Sequence, residues 1–342
     1  MSNLNPWIKQ KLLGLFVKTN GVLSAPIFGG KGILFCFHRI LPKNEQSALF
    51  GSKGMAVSPE YLESLIRTLK EKQYEFIGMD EVLLRIKNPG KTRKFVCLGF
   101  DDGYADNLIH GLPLFEKHGI PFLIYPSLNL LQGRMIRWWD MLEEQILVNS
   151  WVKYQFPNKT LELKTETFDE KTKAWWEIRS HILEWEGRFS RAELLGLFCK
   201  DEAWNKAFTL SVAIPESSLV EFRNHPLLTI GSHTVNHLPL KKLPEDQARF
   251  ELLESKRYLE NLMGYEIKHL AYPYGSSNEC GEREFNMAKE LGYHSGVTFM
   301  PGNLVGNSLN PYSLPRFAGG EMVDQEKLHH ILTGIRHFAD NY

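Results

Sequence analysis

Short runs of apolar residues alternate with amphipathic stretches along most of the 342-residue chain. The runs have the length of buried strands, which we predict at 33–37, 95–100, 121–125, 227–231, 269–272 and 295–299. The stretches between them predict helices at about 59–73, at 244–263, at 282–291 and in a segment ending near His118. This alternation favours an α/β fold with a mainly parallel sheet. We expect a distorted (β/α) barrel, with its reactive side chains at the carboxyl ends of the strands.

The chain changes character at about 132–225. Seven of the eight tryptophans lie there, among charged segments of helical pattern and without the apolar runs seen before. We therefore expect a mostly helical insertion or cap within a barrel domain covering 31–342.

Residues 1–30 form an amphipathic N-terminal segment. Apolar residues recur at helical spacing between lysines, from Trp7 to Phe16. One interpretation is a helix resting on a membrane surface, and the other is a helix packed on the domain. The apolar stretch Leu12–Val17 is short for a signal-peptide core, and no run reaches the roughly 18–20 residues of a membrane span. We expect a cytoplasmic protein, with association to a membrane surface as the alternative.

Composition narrows the class of protein. Forty basic and forty acidic residues balance, so nothing indicates a nucleic-acid partner. Hydrophobic residues make up 43% of the chain, enough for a full core. The four cysteines are scattered and form no CxxC pair, which suits a reducing compartment.

Gly99-Phe100-Asp101-Asp102-Gly103 ends the second predicted strand. Adjacent buried carboxylates are unfavourable unless they bind hydrogen-bond donors or a cation. Because neighbours on an extended chain point in opposite directions, one can bind a metal while the other faces substrate. The alternative is an ordinary turn capping the next helix.

His233 and His237 follow the strand predicted at 227–231. Histidines four apart on one face of a helical turn can bind one metal. With one carboxylate they would make a three-ligand set that leaves a position for water. The alternative is a pair of unrelated surface histidines among the twelve in the chain.

Two further segments could line a pocket. Pro273 and Tyr274 lie in Ala-Tyr-Pro-Tyr-Gly at a strand end, either as the wall of a sugar site or as a rigid turn. Trp139 could stack on a sugar ring or anchor the inserted helices in their core.

Together these motifs resemble the polysaccharide deacetylase family, also called the NodB-homology group. The family's Thr-Phe-Asp-Asp-Gly stands here as 99–103, its paired histidines as His233 and His237, and its Arg-x-Pro-Tyr as 271–274. The resemblance covers roughly 33–131 and 226–320. It implies that Asp102, His233 and His237 bind a divalent metal, most likely zinc. It further implies that Asp101 is the general base and that the Tyr274 backbone N–H holds the oxyanion.

The chain departs from the family pattern at Ala271 and at the general-acid histidine. Ala271 replaces the arginine that steadies the catalytic aspartate, and Arg316 of Leu314-Pro315-Arg316 resembles the substitute used by the branch acting on exopolysaccharides and envelope glycans. His38 resembles that branch's early histidine, although it could equally be a histidine satisfied at a strand end. The general-acid histidine has no clear counterpart, and His294, His329 and His330 are weak candidates.

The expected activity is therefore removal of an N-acetyl group from an amino sugar in a polysaccharide or lipid-linked glycan. Rival hypotheses are an O-acetyl esterase, an N-deformylase, a non-catalytic glycan-binding relative and, more weakly, a paired-carboxylate glycosidase.

Overall fold

A computed structural model describes residues 6–46, 49, 54–88, 93–185, 189–306 and 309–337. The strands are β1 Gly32–Phe37, β2 Arg39–Ile40, β3 Ala56–Val57, β4 Glu75–Phe76, β5 Phe95–Asp102, β6 Phe122–Pro126, β7 Trp151–Gln155, β8 Thr160–Lys164, β9 Leu228–Ile230, β10 His269–Ala271, β11 Ser295–Val297 and β12 Phe317–Ala318. The α-helices are α1 Pro6–Lys18, α2 Ala25–Phe28, α3 Pro59–Glu71, α4 Met79–Lys87, α5 Leu112–His118, α6 Leu128–Leu131, α7 Trp138–Val148, α8 Phe168–Trp185, α9 Arg191–Gly196, α10 Glu202–Leu210, α11 Glu216–Glu221, α12 Glu245–Met263, α13 Glu282–Glu290 and α14 Gln325–Leu332.

Seven parallel strands form the wall of a barrel. Five are hydrogen-bonded in the order β12, β1, β5, β6, β9, and β10 pairs with β11. Two single-residue bridges join these groups. Ser232 pairs with Leu270 beyond β9, and Val297 pairs with Leu314 ahead of β12. The expected distorted barrel is confirmed, with its closure reduced to single bridges at two seams.

Apolar side chains fill both sides of this wall. Leu34, Cys97, Leu123 and Val297 point into a central cluster that α4 also joins. Outward-facing residues of the same strands pack against the surrounding helices α3, α5, α12, α13 and α14 in the largest core cluster. Strands buried on both faces read as uninterrupted apolar runs, which explains why the sequence located them.

The insertion has a core of its own. Buried side chains from α7, α8 and the segment around Phe198 cluster together, apart from the barrel core. The insertion also contains two strands that the sequence pattern did not predict, because β7 and β8 form an antiparallel hairpin. Its first strand alternates between exposed and buried residues, the usual pattern of a hairpin with one face on a core.

Helix α1 packs on the domain through one face. Phe16 joins Phe28 and Ile335 in a small cluster that Leu12 and Leu13 flank. Other side chains of the helix, such as Trp7, are exposed. No helix among the described residues has both the length and the apolar character needed to cross a bilayer.

Candidate metal centre and active-site cavity

The polar motifs converge at the carboxyl end of the barrel. Strand β5 continues two residues beyond its predicted end, so Asp101 and Asp102 are both strand residues and both buried. Asp102 has a φ of 75° and Gly103 a φ of 96°, so the chain turns sharply there. A Cβ on Gly103 would lie 2.7 Å from the Pro126 Cβ, which excludes larger residues. The two carboxylates point to different partners, as expected.

Asp102 meets the two histidines. Its Oδ1 lies 3.5 Å from Nε2 of His233 and 3.4 Å from Nε2 of His237. The same Oδ1 is buried and accepts no hydrogen bond from any described residue. The three side chains can present one ligand atom each within 4.8 Å of one another.

This donor set fits a zinc ion. Ligand atoms about 2.0–2.2 Å from a tetrahedral zinc lie about 3.3–3.5 Å apart, close to the spacing seen here. His233 Nδ1 lies 2.7 Å from the Ala271 carbonyl, which can only accept, so the proton sits on Nδ1 and Nε2 is free to bind metal. Burial lowers the pKa of both His233 and His237, which favours the neutral ligand form.

Asp102 favours a cation for electrostatic reasons. Burial, with the nearby Asp101 adding to it, raises the pKa of Asp102 to about 8. A carboxylate so placed is ionised readily only when positive charge lies next to it. The absence of a hydrogen-bond donor at its Oδ1 therefore agrees with a ligand role.

The two histidines are not on a helical turn, which corrects the sequence interpretation. They lie in a loop where Thr234 and His237 adopt left-handed backbone, with φ of 65° and 57°. Thr234 Oγ1 accepts a hydrogen bond from the His237 backbone N–H at 3.1 Å. The loop folds back at this turn and brings both imidazoles to Asp102.

Glu251 of α12 supports this loop. Its buried carboxylate accepts hydrogen bonds from the backbone N–H groups of Val235 and Asn236, at 3.0 and 2.8 Å. On the other side, the Leu128 backbone N–H donates to the Thr234 carbonyl at 3.0 Å. The sequence gives no local signal for Glu251, because α12 approaches the loop only in the folded chain.

Asp101 is held by a buried arginine. Arg316 Nη1 and Nη2 donate to its two carboxylate oxygens at 2.8 and 2.7 Å, and Arg316 Nε donates to the Thr298 carbonyl at 2.9 Å. Burial alone would raise the pKa of Asp101, but Arg316 and the nearby His233 hold it well below its usual range. Arg316 thus occupies the place expected of it, while Ala271 is packed in the barrel interior.

Cys36, His38 and Asp101 also lie close enough to share an ion. The bidentate contact from Arg316 already compensates the charge of Asp101. Burial keeps the pKa of the Cys36 thiol far above its ordinary value, which disfavours the thiolate that metals bind. Of the two groups, the Asp102 cluster is therefore the better fit to a metal ion.

A cavity of about 450 Å³ opens above these residues, lined by Asp101, Asp102, His233, His237 and Arg316. His38 also lines it, and burial lowers the pKa of His38 to about 4, so the ring is neutral near pH 7. The His38 carbonyl accepts a hydrogen bond from Asn107 Nδ2 at 2.8 Å, which helps fix this segment.

Two of the three residues predicted to contact substrate line the cavity. Tyr274 lines the cavity, and its ring lies 4.8 Å from that of His237. Trp139 lines it too, 5.8 Å from the His237 ring, and also packs against the insertion core, so both earlier interpretations describe part of its surface. Pro273 is buried and is not among the described lining residues.

The insertion adds lining residues that sequence reasoning missed. Trp175, Trp176, Arg179 and Leu183 of α8 face the cavity. The Arg179 guanidinium carbon lies 5.8 and 5.4 Å from the centres of the Trp175 and Trp176 rings. The adjacent tryptophans can be read from the sequence. Which of their side chains reach the cavity depends on how α8 packs, and that cannot be read from the sequence.

The weak general-acid candidates do not reach the cavity. His294 is half exposed beside Glu266, and His329 Nε2 lies 2.9 Å from the Asn20 carbonyl. With His330 they are absent from the described lining residues. Of the histidines there, His38 alone is outside the metal set.

Comparison with known proteins points to one family. The polysaccharide deacetylase family model matches residues 198–296, a stretch that holds His233, His237 and the 271–275 segment but not the two aspartates. The putative polysaccharide deacetylase YxkH of Bacillus subtilis (strain 168) is 33% identical over 89 residues.

The chain thus resembles the polysaccharide deacetylase family over part of its length. The stretch that matches YxkH amounts to 26% of this chain and 30% of YxkH, so it spans less than a third of the curated relative.

Solved structures show that this chain shares its fold with deacetylases along most of its length. The Streptococcus pyogenes deacetylase PplD, solved in complex with acetate, is 17% identical with a TM-score of 0.55, covering 88% of this chain and 97% of PplD. IcaB from Ammonifex degensii is 15% identical with a TM-score of 0.57, covering 90% and 98%.

Proposed function

We propose that this chain is a metal-dependent hydrolase that removes the N-acetyl group from an amino sugar of a polysaccharide or lipid-linked glycan. One observation carries the proposal: Asp102, His233 and His237 present their ligand atoms to a common point, and Asp101 lies beside it in an Arg316 clamp. The match of residues 198–296 to the polysaccharide deacetylase family model supports the same reaction class.

Asp102, His233 and His237 would hold the metal, and a nitrogen- and oxygen-rich set of three favours zinc. Bound there, such an ion supplies Lewis-acid polarisation of a carbonyl and lowers the pKa of a water. Three protein ligands leave room for that water, as hydrolytic sites require.

Asp101 would take a proton from the attacking water. Arg316 holds both oxygens of Asp101, so the carboxylate is fixed in orientation and is ionised before the reaction begins. Attack on the amide carbon forms one C–O bond, and the carbonyl oxygen gains negative charge. The backbone N–H of Tyr274, whose residue adopts left-handed φ of 57° at the cavity edge, would donate to this oxyanion.

The C–N bond then breaks, and the leaving nitrogen needs a proton. Asp101 holds the one taken from water and would return it, which balances the reaction as acetate plus a free amine. His38 is neutral near pH 7 and lines the same cavity, so its role would be to orient groups around Asp101.

The cavity suits a sugar ring. Its volume of about 450 Å³ lies within the usual range of small-molecule sites. Indole faces from Trp139 and Trp176 border it, and aromatic faces are favourable surfaces for the apolar faces of sugars. Acetate bound to the S. pyogenes neighbour is consistent with an acetyl substrate on this fold.

The non-catalytic alternative loses its main motive. It rested partly on Ala271 standing where the family has arginine, and Arg316 now supplies the contact to Asp101. A decayed site would have no need of a bidentate, fully buried arginine–aspartate pair, which is unfavourable unless its geometry is maintained.

The test is metal analysis of the purified full chain, followed by mass spectrometry with a panel of N-acetylated glycans. We expect one zinc per chain and acetate release matched by an equal yield of free amine. His233→Ala should lose the metal and the activity, while His225→Ala, a histidine paired with Glu116 outside the cavity, should keep both. A zinc-loaded chain that leaves every glycan intact would overturn the proposal, as would release of formate instead of acetate.

A further inference from the structure

The N-terminal segment exposes several large apolar side chains to solvent. Trp7, Ile8 and Leu15 of α1 are 60%, 41% and 45% exposed. The turn after α1 and helix α2 add Val22, Leu23 and Ile27, which are 70%, 47% and 56% exposed. We call these six residues the N-terminal apolar surface. Several exposed apolar side chains within one short segment favour an interaction site.

Helix α1 is nevertheless packed onto the domain. The opposite side of α1 packs through Phe16 against Phe28 and Ile335, with ring centres of Phe16 and Phe28 5.9 Å apart. Trp7, Lys11, Leu15 and Lys18 share the other side at helical spacing. The domain thus anchors one face of α1 and presents the other.

The charged side chains of residues 1–31 are all basic. No aspartate or glutamate occurs before Glu45, while residues 1–31 carry four lysines. The chain as a whole is neutral, with 40 acidic and 40 basic residues, so this is a local asymmetry. The Lys11 ammonium lies 3.9 Å from the centre of the Trp7 ring, so cation and indole are presented together.

We propose that the N-terminal apolar surface binds the surface of a membrane containing anionic lipids. Apolar side chains would enter the boundary between headgroups and acyl chains, and lysines would contact lipid phosphates. Trp7, with an apolar ring and a polar N–H, suits that boundary. Each lysine near an anionic bilayer adds attraction that weakens as salt rises.

A second copy of this chain fits this surface less well. A symmetric dimer would bring the same patch of each copy together, and the lysines of one would face those of the other. Protein interface cores are depleted in lysine, whereas membrane-surface helices are rich in it.

The experiment is co-sedimentation of the full chain with vesicles of phosphatidylcholine alone or with 30% phosphatidylglycerol, a composition chosen for the test. We expect at least about tenfold tighter binding to the anionic vesicles, decreasing as salt rises. Leu15→Asp with Ile27→Asp should reduce binding at least about tenfold. Val148→Ser, which changes a 76% exposed residue of the insertion, should leave binding unchanged.

Thermal melting and acetate release from a water-soluble glycan should be the same for these variants and the wild type, so the result does not depend on the proposed function. Equal binding of the double variant and the wild type would refute the proposal. Failure to bind either kind of vesicle would also refute it. So would sedimentation velocity that shows a concentration-dependent dimer which the double variant abolishes.

Discussion

The barrel and the insertion line the same cavity with different chemistry. The barrel contributes buried charged and metal-ligating groups held by short polar contacts, as in the clamp of Arg316 on Asp101. The insertion contributes mainly indole and aliphatic surface from α7 and α8, supported by a separate core. Under the proposed function, we expect a division of roles in which barrel residues set the reaction rate and insertion residues set which glycan is held.

The sharpest test of that division is Asp101→Asn. We expect kcat to fall about 10³–10⁴-fold, because an amide cannot accept the proton from water. Zinc content should stay near that of the wild type, since Asp101 is not a ligand. Acetate release and metal analysis measure the two effects.

The variant also leaves the Arg316 charge buried without its anionic partner, so a lower melting temperature is expected. Activity must therefore be compared at a temperature where the variant remains folded. A folded Asp101→Asn chain with wild-type kcat would contradict the role given to the barrel.

The independent core of the insertion can be tested with Ile182→Ala. Ile182 is fully buried in that core, so we expect a loss of about 2–4 kcal/mol in stability. Hydrogen exchange should quicken in α8 and the β7–β8 hairpin while β5 keeps its protection. Ile182→Val should show the same pattern at about 0.5–1.5 kcal/mol. Equal loss of protection in β5 would mean that the two cores unfold as one.

Substrate binding by the insertion can be tested with Trp176→Ala. Trp176 is 44% exposed on the cavity wall, and loss of its stacking face should raise KM about tenfold, or about 1.4 kcal/mol, with kcat nearly unchanged. Trp151→Ala is the matched control, since Trp151 is 50% exposed on β7 and outside the cavity. A fall in kcat at constant KM would contradict the division.

The smallest expected effect concerns pH. Burial, with Asp140 adding to it, raises the pKa of Glu143 to about 7. The folded state therefore holds this proton more tightly than the unfolded state, and stability falls as pH rises from about 4.5 to about 7.

Glu143→Gln should remove that part of the decline, about 1 kcal/mol after allowing for solvent screening. Urea unfolding at pH 5 and pH 8 measures it. If the variant's free energy of unfolding had the same pH dependence as that of the wild type, titration of Glu143 would not be the cause of the decline.

The sequence located the barrel well and the insertion poorly. Barrel strands are buried on both faces, so their apolar runs stand out. The β7–β8 hairpin alternates in a readable way, but it is short and lies among tryptophan-rich helices. The hairpin was therefore missed.

Within the site, the identities of the residues were easier to predict than their backbone conformation and packing. Asp101, Asp102 and the two histidines are recognisable from motif and spacing, and Arg316 from its Leu-Pro-Arg context. The left-handed turn at Thr234 was not predictable, because a β-branched residue disfavours that backbone locally and only tertiary contacts hold it there. Glu251 and Trp176 are likewise placed by packing between distant segments.

Those left-handed residues carry a further consequence. Seven described residues other than glycine have positive φ, and four of them are Asp102, Thr234, His237 and Tyr274, all in or beside the proposed centre. Backbone in that region is disfavoured by about 1–3 kcal/mol per residue, a sum that the surrounding barrel must offset. Selection for thermostability alone would therefore relax this corner of the molecule first, and a stabilised variant of this chain should be checked for metal affinity before it is trusted as an enzyme.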